Sequence, residues 1–311
     1  MINLRYHVVS LIAVFLALTV GIVMGSTVVD RVTVDALNER VSSVSKSVSN
    51  AEAENGRLSG QLGTVRDFAD QARDHLVRDQ LRGVPVLIAA VAGVDRKPVE
   101  GLQQVLVESG ATMAGTLWFT GKMRLDNDAD RRELATVLNL ADERPDVVRA
   151  QALAKVADAL DGSADPNPDP TIAVLTAAGF VTYEAPPGQA ASTIPPGGAI
   201  PESVRVVLVS GAGAGVGDDE VALPLAQDLG QGGGRLVAVE SGQDTPGGRG
   251  VFVGLVRNDD EVGARVSTVD NLESPMGQAA VVLALEDLAV PRTGHFGVGP
   301  GAQRLLPAGQ T

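Results

Sequence analysis

The most pronounced hydrophobic pattern lies at the start of the chain. From Val8 to Val29 the sequence contains no charged residue, and an apolar run of roughly 20 residues can cross a bilayer as a helix. A cleaved signal peptide is the main alternative, with an apolar region of only about 7–15 residues, and a buried core helix is the third. We predict that residues 1–29 form an N-terminal tail and an uncleaved transmembrane signal anchor.

Directly after this run, hydrophobic residues recur with heptad spacing. With Val34 at position a, the a and d positions as far as Leu76 are apolar except for Asn55. Uninterrupted heptads predict a left-handed coiled coil, and β-branched residues with one Asn at the a positions favour a parallel, in-register dimer. An amphipathic helix that lies on its own domain is the alternative. We predict a long, dimeric coiled-coil stalk over residues 30–82.

Small residues inside the apolar run favour the same dimer. Ala13, Ala17, Gly21 and Gly25 recur at every fourth position, and small residues at this spacing let two membrane helices approach closely. This signal is weak alone and gains its value from the heptads that follow. The two patterns together predict these dimerisation residues: Gly21, Gly25, Val34, Leu37, Val41, Val44, Val48, Asn55, Leu58, Leu62, Val65 and Leu76.

The charges that flank the apolar run predict its orientation. The N-terminus and Arg5 precede the run, while Asp30 and Arg31 follow it and roughly cancel. Positive charge is retained on the cytoplasmic side of membrane helices. We therefore expect a single-pass protein of the plasma membrane, with a cytoplasmic N-terminus and an extracytoplasmic C-terminal domain.

The hydrophobic pattern changes near Gly83. Short apolar runs typical of buried strands alternate with stretches typical of helices, which predicts an α/β Rossmann-like three-layer domain over residues 83–293. The Pro- and Gly-rich loop 185–202 could divide this domain into two halves, and residues 294–311 are predicted to form a flexible C-terminal tail. The predicted strands are Val84–Val91, Ala111–Thr120, Val181–Glu184, Val204–Ser210, Arg235–Glu240 and Val251–Val256.

Composition excludes several classes of function. The formal net charge of -13 argues against a general nucleic-acid-binding protein, because phosphate contacts require clustered Lys and Arg. The chain contains no cysteine, which excludes disulfides, thiolate metal sites and cysteine nucleophiles. We therefore expect no nucleic-acid partner and no thiol chemistry.

A glycine-rich segment is the most tempting candidate for ligand binding. Residues Gly211–Gly217 lie between a predicted strand and a predicted helix, an arrangement that can cradle a pyrophosphate. Glu240 ends the next predicted strand, where a ribose-binding acid would lie. However, no frame matches G-x-G-x-x-G, and no Lys of a phosphate loop follows. We therefore favour a βα loop capped by acidic residues.

Other motifs for metal binding or catalysis are incomplete. Asp126–Asp130 resembles the start of a calcium loop, but Arg131 and Val137 stand where Gly and Glu are needed. No G-x-S-x-G turn is present, and no cluster of Met, Cys and His suits copper(I). A dimer would duplicate Met24, although we expect this side chain to face lipid. The sequence therefore predicts a non-enzymatic protein without catalytic, cofactor-binding or metal-binding residues.

The opening string MINLRYHVVSLIAVFLALTVGIVMGS, the heptads, and the segment Ser267–Leu288 resemble the actinobacterial family named for the mycobacterial copper transport protein MctB. Corynebacterial members of that family are called SteB. The resemblance covers nearly the full chain. Its most specific parts are residues 1–26 and the late segment.

This resemblance implies two different functions. The family name implies copper transport, efflux or homeostasis, with copper as the one possible cofactor. The SteB-like description implies a cell-envelope adaptor that acts in cell separation. Its partners would be a membrane protein resembling SteA and a cell-wall hydrolase, and the adaptor would link the membrane partner to control of peptidoglycan hydrolysis. One membrane helix per chain cannot line an ion pore, and copper ligands are sparse in this sequence. We therefore favour the adaptor, with a copper role as the alternative.

Overall fold

The computed structural model describes residues 4–141, 143–161, 170–188, 201, 203–233, 235–242, 251–290 and 292–308, and for residues 26–36 it describes the backbone alone. The chain divides into two units, Met1–Val65 and Arg66–Thr311. Most of the predicted loop 185–202 falls outside the described residues. The division of the domain at that loop therefore stays a prediction.

One long helix, α1, runs from Leu4 to Val77. Its first part, Leu4–Gly25, has a mean hydropathy of 2.6 and no buried residue, and it is long and apolar enough to cross a membrane. A signal sequence meets the same criterion. Retention of the anchor and its orientation therefore remain predictions.

The described part of the second unit forms an α/β structure. Its strands are β1 (Pro85–Val91), β2 (Thr112–Phe119), β3 (Val181–Glu184), β4 (Arg205–Gly211), β5 (Leu236–Ser241), β6 (Ser267–Val269) and β7 (His295–Phe296). Its helices are α2 (Arg96–Glu108), α3 (Asp128–Val137), α4 (Pro145–Asp161), α5 (Thr171–Ala177), α6 (Leu223–Gln231), α7 (Phe252–Asn258), α8 (Asp260–Gly263) and α9 (Pro275–Asp287). A 3₁₀ turn spans Gly121–Arg124, and a π-helical turn spans Asp218–Ala222 directly before α6.

The strands form one mixed sheet in the order β3-β2-β1-β4-β5-β6-β7. Strand β3 is antiparallel to β2, while the other neighbouring strands are parallel. The chain crosses from β1 to β2 on one side and resumes with β4 on the other side of β1. This arrangement is the doubly wound order, and its switch point lies between β1 and β4.

Helices cover both faces of the sheet, as the continuous apolar runs in the strands require. In β1, Leu87 and Ala89 belong to one core with side chains of α3 to α7. The alternate residues Val86 and Ile88 belong to a second core with α2, α9 and the end of α1. Two helical layers therefore cover the sheet, which makes three layers in all, and the strands are buried on both faces.

The last turns of α1 belong to the α/β unit, which begins at Arg66 and not at the predicted boundary near residue 83. Val77 and Leu81 are fully buried, and the Leu81 amide donates to the Ser109 carbonyl at 2.9 Å. These contacts bring together residues that are distant in sequence. The heptad pattern alone therefore could not locate this boundary.

The predicted strand Val251–Val256 is wrong, because residues 252–258 form helix α7. Phe252, Val253 and Val256 are its buried residues, and this i, i+1, i+4 spacing is one face of a helix. A short apolar run does not distinguish a buried strand from a buried helix.

The first residues of the predicted C-terminal tail form a strand of the sheet. Strand β7 pairs with β6, with Thr268 opposite His295 and Val269 opposite Phe296, and Phe296 is buried. The short β6 was also missing from the predicted strands. Mobility of residues 294–311 remains a prediction.

Candidate functional site

The heptad residues of α1 form an apolar stripe, which here means Leu37, Val41, Val44, Val48, Leu58, Leu62 and Val65. All of them are exposed in the single chain. Leu37 and Leu62 expose 56% and 62% of their surface, although exposed helix positions of a soluble protein are usually polar. The described side chains of the first unit thus leave the predicted coiled-coil seam uncovered.

The remaining predicted dimerisation residues fall into different environments. Gly21 and Gly25 have no atom within 4 Å of an added Cβ, and Asn55 is exposed. The side chain of Val34 lies outside the described residues. Leu76 is 37% exposed, whereas its neighbour Val77 is buried against the α/β unit. Dimerisation through these residues stays a prediction.

A polar contact fixes the end of α1 beside α9. The Arg73 Nη1 atom donates to Gln278 Oε1 at 3.1 Å, and Gln278 is buried. Arg73 also forms ion pairs with Asp70 and Asp74 on its own helix. Because these partners restrict its long side chain, the contact with α9 loses little further conformational entropy on forming.

The glycine-rich segment at the switch point packs against the loop that follows β1. The Gly215 amide donates to the Ala92 carbonyl at 2.6 Å. An added Cβ at Gly93, where φ is +105°, would collide with the Gly213 carbonyl oxygen. The Gly215 amide is therefore already engaged, and the segment serves as packing between two loops.

A buried carboxyl group supports the end of this segment. The Ser210 hydroxyl donates to Asp218 Oδ1 at 2.5 Å. Burial raises the pKa of Asp218, and the hydrogen bond from Ser210 opposes that rise. The acidic start predicted for this helix is thus partly inside the protein rather than at its surface.

A buried ion pair holds the chain after β7. Arg257 Nη1 lies 2.9 Å from Asp270 Oδ2, with side-chain exposures of 5% and 2%. The same guanidinium donates to the carbonyls of Phe296 and Pro300. Asp270 in turn accepts from the amides of Val298 and Gly299. Sequence reasoning missed this pair, because its members lie on α7 and after β6 and match no local motif.

Two further acids lie at the carboxyl end of β5. Glu240 is buried and accepts from the Val253 amide at 2.9 Å. Burial raises the pKa of Glu240, the hydrogen bond from the Val253 amide opposes this rise, and the charges of Asp218 and Asp270 add to it. Glu273 accepts from the Ser241 hydroxyl at 2.8 Å and from the Gly242 amide. This edge of the sheet is therefore acidic and largely desolvated.

Metal ligands do not converge in the described part of the chain. Within it, no three His, Cys, Asp or Glu side chains form a group that could hold a metal ion. His295 Nδ1 lies 3.0 Å from the Thr268 hydroxyl, and burial lowers the pKa of this histidine. The calcium-like stretch caps α3 instead, because Asn127 Oδ1 accepts from the Asp130 amide at 2.9 Å.

A long N-terminal helix with one candidate membrane span, followed by a doubly wound α/β unit, defines the chain as an α/β protein with a candidate N-terminal anchor. The chain belongs to the MctB family. The family model is described as "Copper transport outer membrane protein, MctB" and matches residues 1–307. The resemblance inferred from the sequence is thereby confirmed.

Two relatives show the extent of the similarity. The chain is 28% identical to the "Copper transporter MctB" of Mycobacterium tuberculosis (strain ATCC 25618 / H37Rv), over 98% of this chain and 99% of the relative. It is 27% identical to the protein of the same name from Mycobacterium leprae (strain TN), with the same coverage. The similarity thus includes both the helix and the α/β unit.

Proposed function

We propose that this chain is a membrane-anchored, parallel coiled-coil homodimer that acts through protein contacts in the cell envelope. The exposed apolar stripe of α1 is the observation that carries this proposal. Burial of a Leu or Val side chain contributes about 1.5–3 kcal/mol, and a second α1 in register would cover every residue of the stripe. The family is named for transporters rather than for an enzyme, which agrees with a non-catalytic role.

The dimer is tested by charge substitution on two faces of α1. The full chain in detergent should be a dimer by light scattering, and Leu58→Glu with Leu62→Glu should convert it to a monomer, because four carboxylates would meet in the seam. Ala53→Glu with Thr64→Glu adds the same charge at positions f and c, outside the seam, and should leave the dimer intact. A wild-type monomer, or equal effects of the two double variants, would contradict the proposal.

The finer function that we propose is that of an adaptor in cell separation. The dimer would connect a membrane partner resembling SteA to a peptidoglycan hydrolase outside the membrane, with the grooves of the coiled coil as binding surfaces. Burial of Val77 and Leu81, together with the Arg73–Gln278 contact, attaches the last turns of α1 to the rest of the α/β unit.

Microscopy of a deletion strain tests this role. We expect chains of unseparated cells both in copper-limited medium and in medium with added copper, and complementation by wild type should restore separation. The Leu58→Glu and Leu62→Glu double variant should fail to restore it, whereas the Ala53→Glu and Thr64→Glu variant should succeed. Normal separation in the deletion strain would contradict the adaptor role.

Copper transport or homeostasis is the second candidate, favoured by the name of the family and of its relatives. If this role holds, the deletion strain would grow normally until copper is added. Paired Met24 thioethers in a dimer would be the ligand type that copper(I) prefers. A Met24→Leu variant that complements separation but not growth in copper would separate the two functions, with Met113→Leu as the control.

A further inference from the structure

A cavity of about 850 Å³ opens beside the carboxyl ends of β5 and β6, and α7 forms one of its walls. It is distinct from the switch point between β1 and β4, where the loops pack together. Cavities of about 300–1,000 Å³ commonly hold small molecules. Residues 243–250, which precede the wall residue Val251 in the sequence, lie outside the described part of the chain.

Two of the charged side chains that line the cavity are already engaged. Arg257 donates to Thr268, Asp270, Phe296 and Pro300. Asp270 accepts from Arg257 and from the amides of Val298 and Gly299. Their hydrogen bonds hold the wall in place, and displacing them would leave a buried charge without its partner.

Glu240 differs from these two residues. It lines the cavity and is only 4% exposed, and among the described residues its carboxylate has one hydrogen-bond partner, the Val253 amide at Oε2. Burial raises the pKa of Glu240, but a cation beside the carboxyl group would favour its ionised form, which has about four lone-pair sites. Glu240 can therefore accept further hydrogen bonds from a ligand inside the cavity.

Charge and polarity of the lining restrict the ligand. The described lining contains two carboxyl groups, Glu240 and Asp270, and one guanidinium, Arg257, which is paired with Asp270, so the lining has no net positive charge that would attract an anion. Val251 and Val298 also line the cavity and expose 58% and 67% of their surface. A bound molecule would cover these two apolar side chains.

We propose that this cavity binds a small organic cation with an apolar substituent. Its ammonium group donates to the Glu240 carboxylate, and its apolar part covers Val251 and Val298. Binding of this kind is independent of the coiled coil and of copper. It assigns a ligand class to the α/β unit, whereas the proposed adaptor role requires no ligand in that unit.

Three isosteric probes test this inference on the full chain in a neutral detergent: isobutylammonium, isobutanol and isobutyrate, titrated by calorimetry. The ammonium should bind at least about tenfold more tightly than the alcohol, since a charge-assisted hydrogen bond contributes more than a neutral one, and isobutyrate should not bind. Glu240→Gln should reduce the affinity for the ammonium to that for the alcohol. Equal affinity for all three probes would overturn the proposal.

Surface variants keep the test independent of the buried carboxylate. Val298→Trp should weaken ammonium and alcohol alike by filling the cavity mouth, whereas Val107→Trp, at another exposed valine, should weaken neither. Binding that survives Val298→Trp reports partition into detergent and overturns the proposal.

Discussion

The Arg257–Asp270 pair shows how two side chains attach a whole segment to the sheet. Both are almost fully buried, and between them they bind backbone groups of Phe296, Val298, Gly299 and Pro300. A buried ion pair contributes little net stability relative to an apolar replacement of both partners, but the loss of one partner leaves an uncompensated charge. The pair is therefore costly to break.

We predict that Arg257→Met lowers the free energy of unfolding by about 3–5 kcal/mol, because Asp270 would remain buried without its cation. Arg124→Met is the matched control, since Arg124 pairs with Asp126 at 3.1 Å on the surface, with side-chain exposures of 50% and 67%. Its loss should be at most about 1 kcal/mol. Denaturant unfolding of both variants measures the difference, and equal losses would refute the account.

His295 should make the attachment of β7 dependent on pH. Burial lowers its pKa, and the nearby Arg257 charge adds to this effect, so the folded chain binds a proton less readily than the unfolded chain. The stability that neutral His295 contributes is fully present above pH 6.5, which is the pKa of the residue in the unfolded chain. This contribution is lost as the pH falls through the lower pKa of the folded chain.

The measurement is the denaturant midpoint between about pH 7.5 and 5.5, the range in which histidine titrates. We expect the stability of the wild type to decrease relative to that of His295→Gln on acidification, because Gln does not titrate. Gln can still accept a hydrogen bond from the Thr268 hydroxyl. Identical pH profiles for the two proteins would show that His295 does not contribute to this dependence.

At the scale of elements, the loops that follow β1 and β4 approach each other closely. Gly93→Ala would set a Cβ against the Gly213 carbonyl in a backbone with φ of +105°. Gly233→Ala is the control, because φ there is +119° and no atom lies within 4 Å of the added Cβ. The control isolates the cost of positive φ from the cost of the collision.

We predict a loss of about 1–2 kcal/mol for Gly233→Ala from the backbone conformation alone. Gly93→Ala should lose a further 1–3 kcal/mol, roughly the cost of overpacking. Thermal and denaturant unfolding both report the difference. If the two variants were equally stable, the loops at the switch point would be looser than their hydrogen bond implies.

At the scale of the whole molecule, the absence of cysteine makes the proposed orientation directly measurable. Intact cells that carry Thr182→Cys, an exposed position of β3, should react with a membrane-impermeant maleimide. Cells that carry Asn3→Cys, in the predicted cytoplasmic tail, should react only after permeabilisation, since charged reagents do not cross the hydrocarbon core. The reverse pattern would invert the orientation, and labelling of both positions in intact cells would contradict a span.

Local periodicity explains which elements could be predicted. The apolar run and the heptads predicted a long helix, and α1 confirms it. Strands β1, β2, β4 and β5 were recognisable as short apolar runs with helices between them. The heptads show a period of their own, whereas the short apolar runs were assigned as strands because they alternate with helical stretches.

Tertiary contacts determine the features that local periodicity does not predict. The sequence determined the apolar span, the helical stalk segment and the α/β alternation, because each depends on neighbours along the chain. Only the folded structure assigned residues 252–258 to a helix, added β7 to the sheet, packed the glycine-rich segment against the loop after β1 and paired Arg257 with Asp270. These features depend on residues that are distant in sequence, and their burial, rather than any local pattern, sets their conformation and charge.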